Sequence, residues 1–307
     1  MSAHKSPIAI LNSDGSCTRF VSLPCSLPTP DPNSNTRVLS KDITINPVTK
    51  TWVRIYIPKQ TLTNTITPIQ KLPLIVYYHG GGFVIMSAST TVSHDFCNQL
   101  ATHLPAVIVS VDYRLAPEHR LPAAYDDGVK ALNWVKSTQE PWLIDFADFC
   151  NCYLMGTSAG ANIAYHVGQS LSSRVNDGEV LKIKGLMLHN LFIGGVKRTE
   201  SEIQLGNVGQ LTLSHSDTFW DLSLPVGANR DHEYCNVMAG SVVRVMMTIR
   251  DGDLLIDRQM EFAKMLESKG VEIKCIYGEG DHGIEYFDMS KAVELFEEIS
   301  NFMSNVD

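Results

Sequence analysis

The chain has 307 residues, 44% of them hydrophobic, which is long for one domain and ample for a large core. A net charge of −8 argues against nucleic-acid and anionic-membrane partners, which draw on basic patches. Seven cysteines, odd in number and scattered, suit free thiols in a reducing compartment rather than a disulfide framework.

Residues 1–7 lead into no sustained apolar stretch, and no apolar run approaches bilayer length. The expectation is a cytoplasmic protein without a leader, a membrane span or an evident obligate protein partner. Residues 1–34 are rich in Ser, Pro and Asn and show no periodicity. Residues 37–45 and 51–57 alternate apolar and polar positions around Asn46-Pro47, which predicts a hairpin at a sheet edge. Strands are then predicted at 72–78, 106–111, 148–155, 183–189, 242–249 and 271–277. Helices are predicted at 92–103, 123–137, 159–173, 257–269 and 290–303. Cys150 and Cys152, on one predicted strand, are expected on opposite faces rather than as a metal clamp. The order predicts an α/β fold with a mostly parallel, doubly wound eight-stranded sheet, its site at the carboxyl ends of the strands. Residues 194–240 interrupt the alternation as a long insertion.

Two glycine motifs fall at strand ends. Strand 72–78 runs into His79-Gly80-Gly81-Gly82-Phe83. Three successive glycines weaken a loop, so their presence points to backbone N–H groups that must approach a ligand closely. Strand 148–155 runs into Gly156-Thr157-Ser158-Ala159-Gly160 and then a helix. A G-x-S-x-G at a strand–helix turn carries a serine on a strained bend, with small neighbours where the two backbones nearly collide. The turn aims the hydroxyl into a cleft and sets the Ala159 amide beside a developing oxyanion, where Gly81 and Gly82 also donate. Gly80 sets the turn of that loop, and His79 supplies a bridging hydrogen bond.

Together with Asp112-Tyr113-Arg114-Leu115-Ala116-Pro117-Glu118, these motifs make the chain resemble the hormone-sensitive-lipase family of α/β-hydrolases over nearly its whole length. Within that family it is similar to the plant carboxylesterases. Leu121 to Asp127, Arg198 to Glu202 and Arg230 to Asn236 support the likeness. The resemblance implies a single domain spanning 1–307, with a cap built from about 1–34 and 194–240. Phe192, Phe219, Trp220 and Leu222 are candidates for its pocket-facing side. The plainer reading of both segments is a loose tail and a surface loop. Asp112 to Glu118 reads as a scaffold for the two glycine loops, with Arg114 and Glu118 pairing internally.

An activated serine needs a base, and the base needs an orienting carboxylate. His282, in Gly280-Asp281-His282-Gly283 after the last strand, is the base expected among ten histidines; His103, His166 and His189 lie within predicted elements and read as packed or solvated. Asp251, Asp253 and Asp257 all lie near the end of strand 242–249. The family's Asp-Pro-Leu-x-Asp pattern overlays Asp253 to Asp257 and favours Asp253, although Leu254 replaces the proline and Asp251 stays open. Asp257 fits a helix start instead. Thr157 stands where relatives usually carry aspartate. The implied activity is a serine esterase acting on small carboxylic esters, with no metal and no cofactor. On the same scaffold, flavonoid-precursor lyases, gibberellin receptors and acyl-transfer or lactone-cleaving relatives are the alternatives; the receptors lack the catalytic histidine.

Overall fold

Successive apolar side chains in Leu72–Tyr78, Val107–Asp112 and Ile183–His189 suit strands covered on both faces, since neighbouring residues point to opposite sides. A computed structural model describes residues 8–63, 71–172, 180–240, 242 and 244–304 of the chain. The stretch 1–7, read for a leader, lies outside them, as do Ser173 at the end of one predicted helix and residue 243 in one predicted strand.

Eight strands form one sheet: β1 (Val38–Asn46), β2 (Thr51–Pro58), β3 (Leu72–Tyr78), β4 (Val107–Asp112), β5 (Ala147–Thr157), β6 (Ile183–His189), β7 (Val245–Arg250) and β8 (Ile273–Gly278). Their order is β8-β7-β6-β5-β3-β4-β2-β1. The first two pair antiparallel with each other, and β2 pairs antiparallel with β4; the remaining neighbours are parallel. The predicted architecture is the observed one.

Helices α1 (Thr91–His103) and α5 (Met289–Ser304) cover one face, where Ile75, Tyr77, Tyr153, Met155, Met187 and Met246 meet Phe96, Leu100, Phe296 and Ile299. Helices α2 (Ala123–Ser137), α3 (Ala159–Ser172) and α4 (Ile256–Ser268) cover the other, over Leu74, Val76, Leu154, Leu186, Leu188 and Met247. Strand β7 starts at Val245, three residues later than its apolar run suggests.

The segments outside this alternation have structure of their own. Ala9–Leu11 pairs antiparallel with Cys17–Arg19, and the insertion holds the helices Glu200–Gln204 and Leu213–Ser223. Cys150 is exposed and Cys152 buried, but alternation is not the reason, since residues two apart share a face of a regular strand; the register of β5 shifts between Asp148 and Cys152 and turns Cys150 out. Among the described residues, no helix is long and apolar enough to cross a membrane.

Candidate active site

Ser158 sits between β5 and α3 at φ 57°, in the left-handed region, which costs an L-residue roughly 1–2 kcal/mol. The surroundings hold it there. Its amide donates to His189 O at 2.8 Å, and its carbonyl accepts from Ala161, Asn162 and Phe192. A Cβ on Gly160 would stand 1.9 Å from Tyr78 O, and one on Gly156 would stand 2.0 Å from Gly160 O. The two glycines are therefore required by close backbone approach.

The loop after β8 brings His282 to this turn. His282 Nε2 lies 2.8 Å from Ser158 Oγ, and Nδ1 lies 2.7 Å from Asp253 Oδ2. A proton on Nδ1 satisfies both contacts, leaving Nε2 to accept from the serine hydroxyl. Asp253 is fully buried. Its Oδ1 accepts from Leu255 N at 2.9 Å and its Oδ2 from Gln259 Nε2 at 2.9 Å. Asp251 instead accepts from Gly280 N at 3.0 Å, bracing the loop that carries His282. Asp257 lies in the first turn of α4 and accepts from Ser201 N at 2.8 Å.

The loop after β3 supplies the facing wall. Gly81 and Gly82 take φ of 102° and 61°, conformations that glycine reaches without strain. Among the described residues, none accepts from the amides of Gly81, Gly82 or Ala159. The Gly80 amide is turned away from them and donates to Tyr286 Oη at 3.3 Å. His79 is buried, stacks on Tyr113 at 4.2 Å and contacts Gly80 O through Nδ1 at 2.8 Å. Burial pushes its pKa down to about 4, so the ring is neutral.

Asp112 to Glu118 props this loop. Asp112 accepts from Ala88 N, Tyr113 Oη donates to His79 O, and Ala116 N donates to Phe83 O. Burial raises the Asp112 carboxyl to about 6. The expected Arg114–Glu118 pair is not present. Arg114 pairs with Asp127 at 2.7 Å, while Glu118 pairs with Arg19 at 2.7 Å. Asp127 is fully buried in α2 and needs a cation, whereas Glu118 lies past Pro117 at the surface, where Arg19 reaches it.

Parts of the insertion and of the N-terminal segment close over the loop. A Cβ on Gly82 would strike the Phe219 ring at 2.3 Å, and Ser223 Oγ donates to Gly82 O at 3.2 Å. Phe192 stacks on Trp220 at 4.6 Å, and both rings pack on Phe83. Leu222 is buried with them in the core. Arg19 Nε donates to Val84 O at 2.6 Å. Sequence reasoning missed Gln259 and the polar residues beneath Ser158. Their signal was position alone: Gln259 follows Asp253 by six residues, and Glu285 and Tyr286 follow His282 by three and four.

Residues 75–284 match the α/β-hydrolase fold family. Carboxylesterase 20 of Arabidopsis thaliana is 46% identical, over 96% of this chain and 94% of its own length. The 3-O-acetylpapaveroxine carboxylesterase CXE2 of Papaver somniferum is also 46% identical, over 86% of this chain and 90% of its own. Among solved structures, the hyperthermophilic esterase of Pyrobaculum calidifontis superposes with a TM-score of 0.74 at 26% identity, covering 89% of this chain and 84% of that one. These likenesses bear out the resemblance to plant carboxylesterases.

Proposed function

Because the chain belongs to the α/β-hydrolase family and is a carboxylic ester hydrolase, we propose that it cleaves small carboxylic esters through an acyl-enzyme on Ser158. Ser158 Oγ attacks the ester carbonyl while His282 Nε2 takes its proton. Asp253 holds the imidazole and stabilises the charged ring. The amides of Gly81, Gly82 and Ala159 receive the oxyanion of the tetrahedral intermediate. His282 passes the proton to the departing alcohol. Water, deprotonated by the same ring, then attacks the acyl carbon and frees the acid and Ser158.

The observation that carries this reading is the pair of contacts, 2.8 and 2.7 Å, joining Ser158 through His282 to the buried Asp253. Residues 8–34 and 194–240 serve as the cap of a single domain, supported by Phe219 and Ser223 on Gly82 and by Arg19 on Val84. An acetyl ester of a bulky alcohol is the substrate to try first, since a relative at 46% identity is named for one.

Burst kinetics on p-nitrophenyl acetate, with an organophosphate probe mapped by mass spectrometry, test the mechanism. The expected result is turnover with the adduct on Ser158. Folded protein that neither turns over nor takes the label would overturn it in favour of a ligand-binding role.

A further inference from the structure

Directly beneath Ser158 lies a second polar assembly that the ester chemistry does not use. Tyr286 Oη lies 2.5 Å from Tyr77 Oη, which lies 2.8 Å from Thr157 Oγ1, which lies 3.0 Å from His189 Nδ1. His189 Nε2 stands obliquely 2.8 Å from Glu285 Oε2, and Arg250 holds Glu285 Oε1 through Nε at 2.6 Å and Nη2 at 2.5 Å. Tyr77, Thr157, His189, Glu285 and Arg250 are all buried. They come from the ends of β3, β5, β6 and β7 and from the one-turn helix Ile284–Tyr286 just after His282.

Charge and proton counting fix the direction of this chain. Arg250 already neutralises Glu285, so a cationic His189 would leave a net positive charge buried. A neutral ring must turn its N–H pole, not its lone pair, toward the carboxylate, which places the proton on Nε2. Nδ1 is then an acceptor and takes the Thr157 hydroxyl proton. Thr157 in turn accepts from Tyr77, Tyr77 from Tyr286, and Tyr286 from the Gly80 amide. Each hydroxyl donates once and accepts once, a satisfied network whose bonds polarise one another. We infer that Tyr286, Tyr77, Thr157 and His189 form one directed hydrogen-bond chain that positions the Gly80–Gly82 loop against the nucleophile turn. Glu285 anchors its far end. The proposal rests on the acyl-enzyme reading of Ser158 for its catalytic consequence, but not for its proton placement.

Thr157 is the hinge of this arrangement. Aspartate, the residue expected at this position by resemblance, accepts only and would demand a proton on Nδ1. His189 facing Glu285 would then need both protons. Threonine keeps the layer under the serine free of that added pair of charges.

Two measurements on the full chain test the chain of bonds. Ring-nitrogen NMR on 15N-histidine-labelled protein reads the tautomer without any turnover. His189 protonated on Nε2 alone is the expected result, and a proton on Nδ1 overturns the proposal. Steady-state kinetics with p-nitrophenyl acetate form the second test. Thr157→Val and Tyr286→Phe each lower kcat by about tenfold with KM nearly unchanged, and the double variant loses about as much as either single one. Thr157→Ser, which keeps the hydroxyl, recovers kcat and guards against a folding defect in the valine variant. Losses that multiply, or that fall on KM alone, overturn the chain. If wild-type protein shows the Nε2 tautomer yet takes no label on Ser158, it is the acyl-enzyme mechanism that fails.

Discussion

His166 stacks on Tyr125 at 4.3 Å and meets Tyr165 and Tyr234 edge-on, and burial pushes its pKa down to about 4. An unfolded chain protonates this ring near 6.5, so between about 6.5 and 4 the unfolded state binds the extra proton. The contribution to stability is therefore full above 6.5 and is lost as pH falls toward 4. His166→Phe keeps the ring stack and removes the titration. Urea midpoints measured from pH 7 to pH 4 should fall less steeply in this variant than in wild type. Equal slopes would show that the histidine is hydrated in the fold. Ser158→Ala belongs to the same scale. It should lower kcat by roughly four to six orders of magnitude with the fold intact, and near-normal turnover in pure variant would remove Ser158 from its role. Ser158 and His282 could be proposed in advance from local patterns at strand ends, whereas Asp253 was set apart from Asp251 and Asp257 only by the family's pattern. Gln259 and Glu285 could not be proposed, since a buried glutamine or glutamate reads in sequence as an exposed helix or loop residue. Only the packing of α4 and the short helix after His282 turns them inward.

The helix Leu213–Ser223 works as a fixed wall. Arg120 Nη1 donates to Asp221 O and Leu224 O, Leu121 N donates to Ser223 O, and Ser223 Oγ reaches Gly82. Phe219 fills the space over Gly82, so shortening it should make room beside the glycine loop proposed to receive the oxyanion. Phe219→Leu is expected to shift the ratio of kcat/KM for octanoate over acetate p-nitrophenyl esters upward by about tenfold. An unchanged ratio would place the acyl chain elsewhere. Upstream, Glu202 completes a capping box on Thr199 and also pairs with Arg258 at 2.8 Å, joining the insertion to α4. Glu202→Gln keeps the cap geometry but leaves a largely buried guanidinium short of its anion. The expected loss is about 2–3 kcal/mol in chemical denaturation. A loss below about 0.5 kcal/mol would mean that the pair is hydrated, like an ordinary surface ion pair. Strands and long helices were legible because their apolar periods are unambiguous. The insertion was not, because its two short helices are held by caps and ion pairs rather than by a repeating apolar stripe.

Over the whole molecule, the N-terminal segment is tied down by arginines. Arg19 binds Val84 O, Ala116 O and Glu118, while Arg54, buried in β2, pairs with Asp42 and donates to Ser26 O. These partners lie far apart in sequence, so no window of residues 8–34 could reveal them. Arg19→Ala should free the first hairpin while leaving both faces of the sheet packed. Limited proteolysis should then cut within residues 8–34 several-fold faster, with the remainder resistant. Unchanged cleavage would show that Pro24, Cys25 and Ser26, bonded to Thr91, Thr90 and Ser89 beside α1, suffice as the anchor. The sheet itself was readable as an antiparallel pair followed by parallel strand–helix units. Its strand order follows from crossover handedness rather than from any one segment.

The bond from Ser223 to Gly82 has a consequence for how this scaffold can diversify. The residues that shape the space over the glycine loop also hold that loop in place. Under the proposed mechanism, a substitution near Phe219 that admits a new acyl group therefore disturbs reactivity in the same step, and selectivity and speed are inherited together there. Asn207, Val208 and Gln210, exposed in the insertion ahead of this helix, can vary without that penalty. New preferences should accumulate first in that stretch, and only later, with compensating changes around Arg120, in the helix itself.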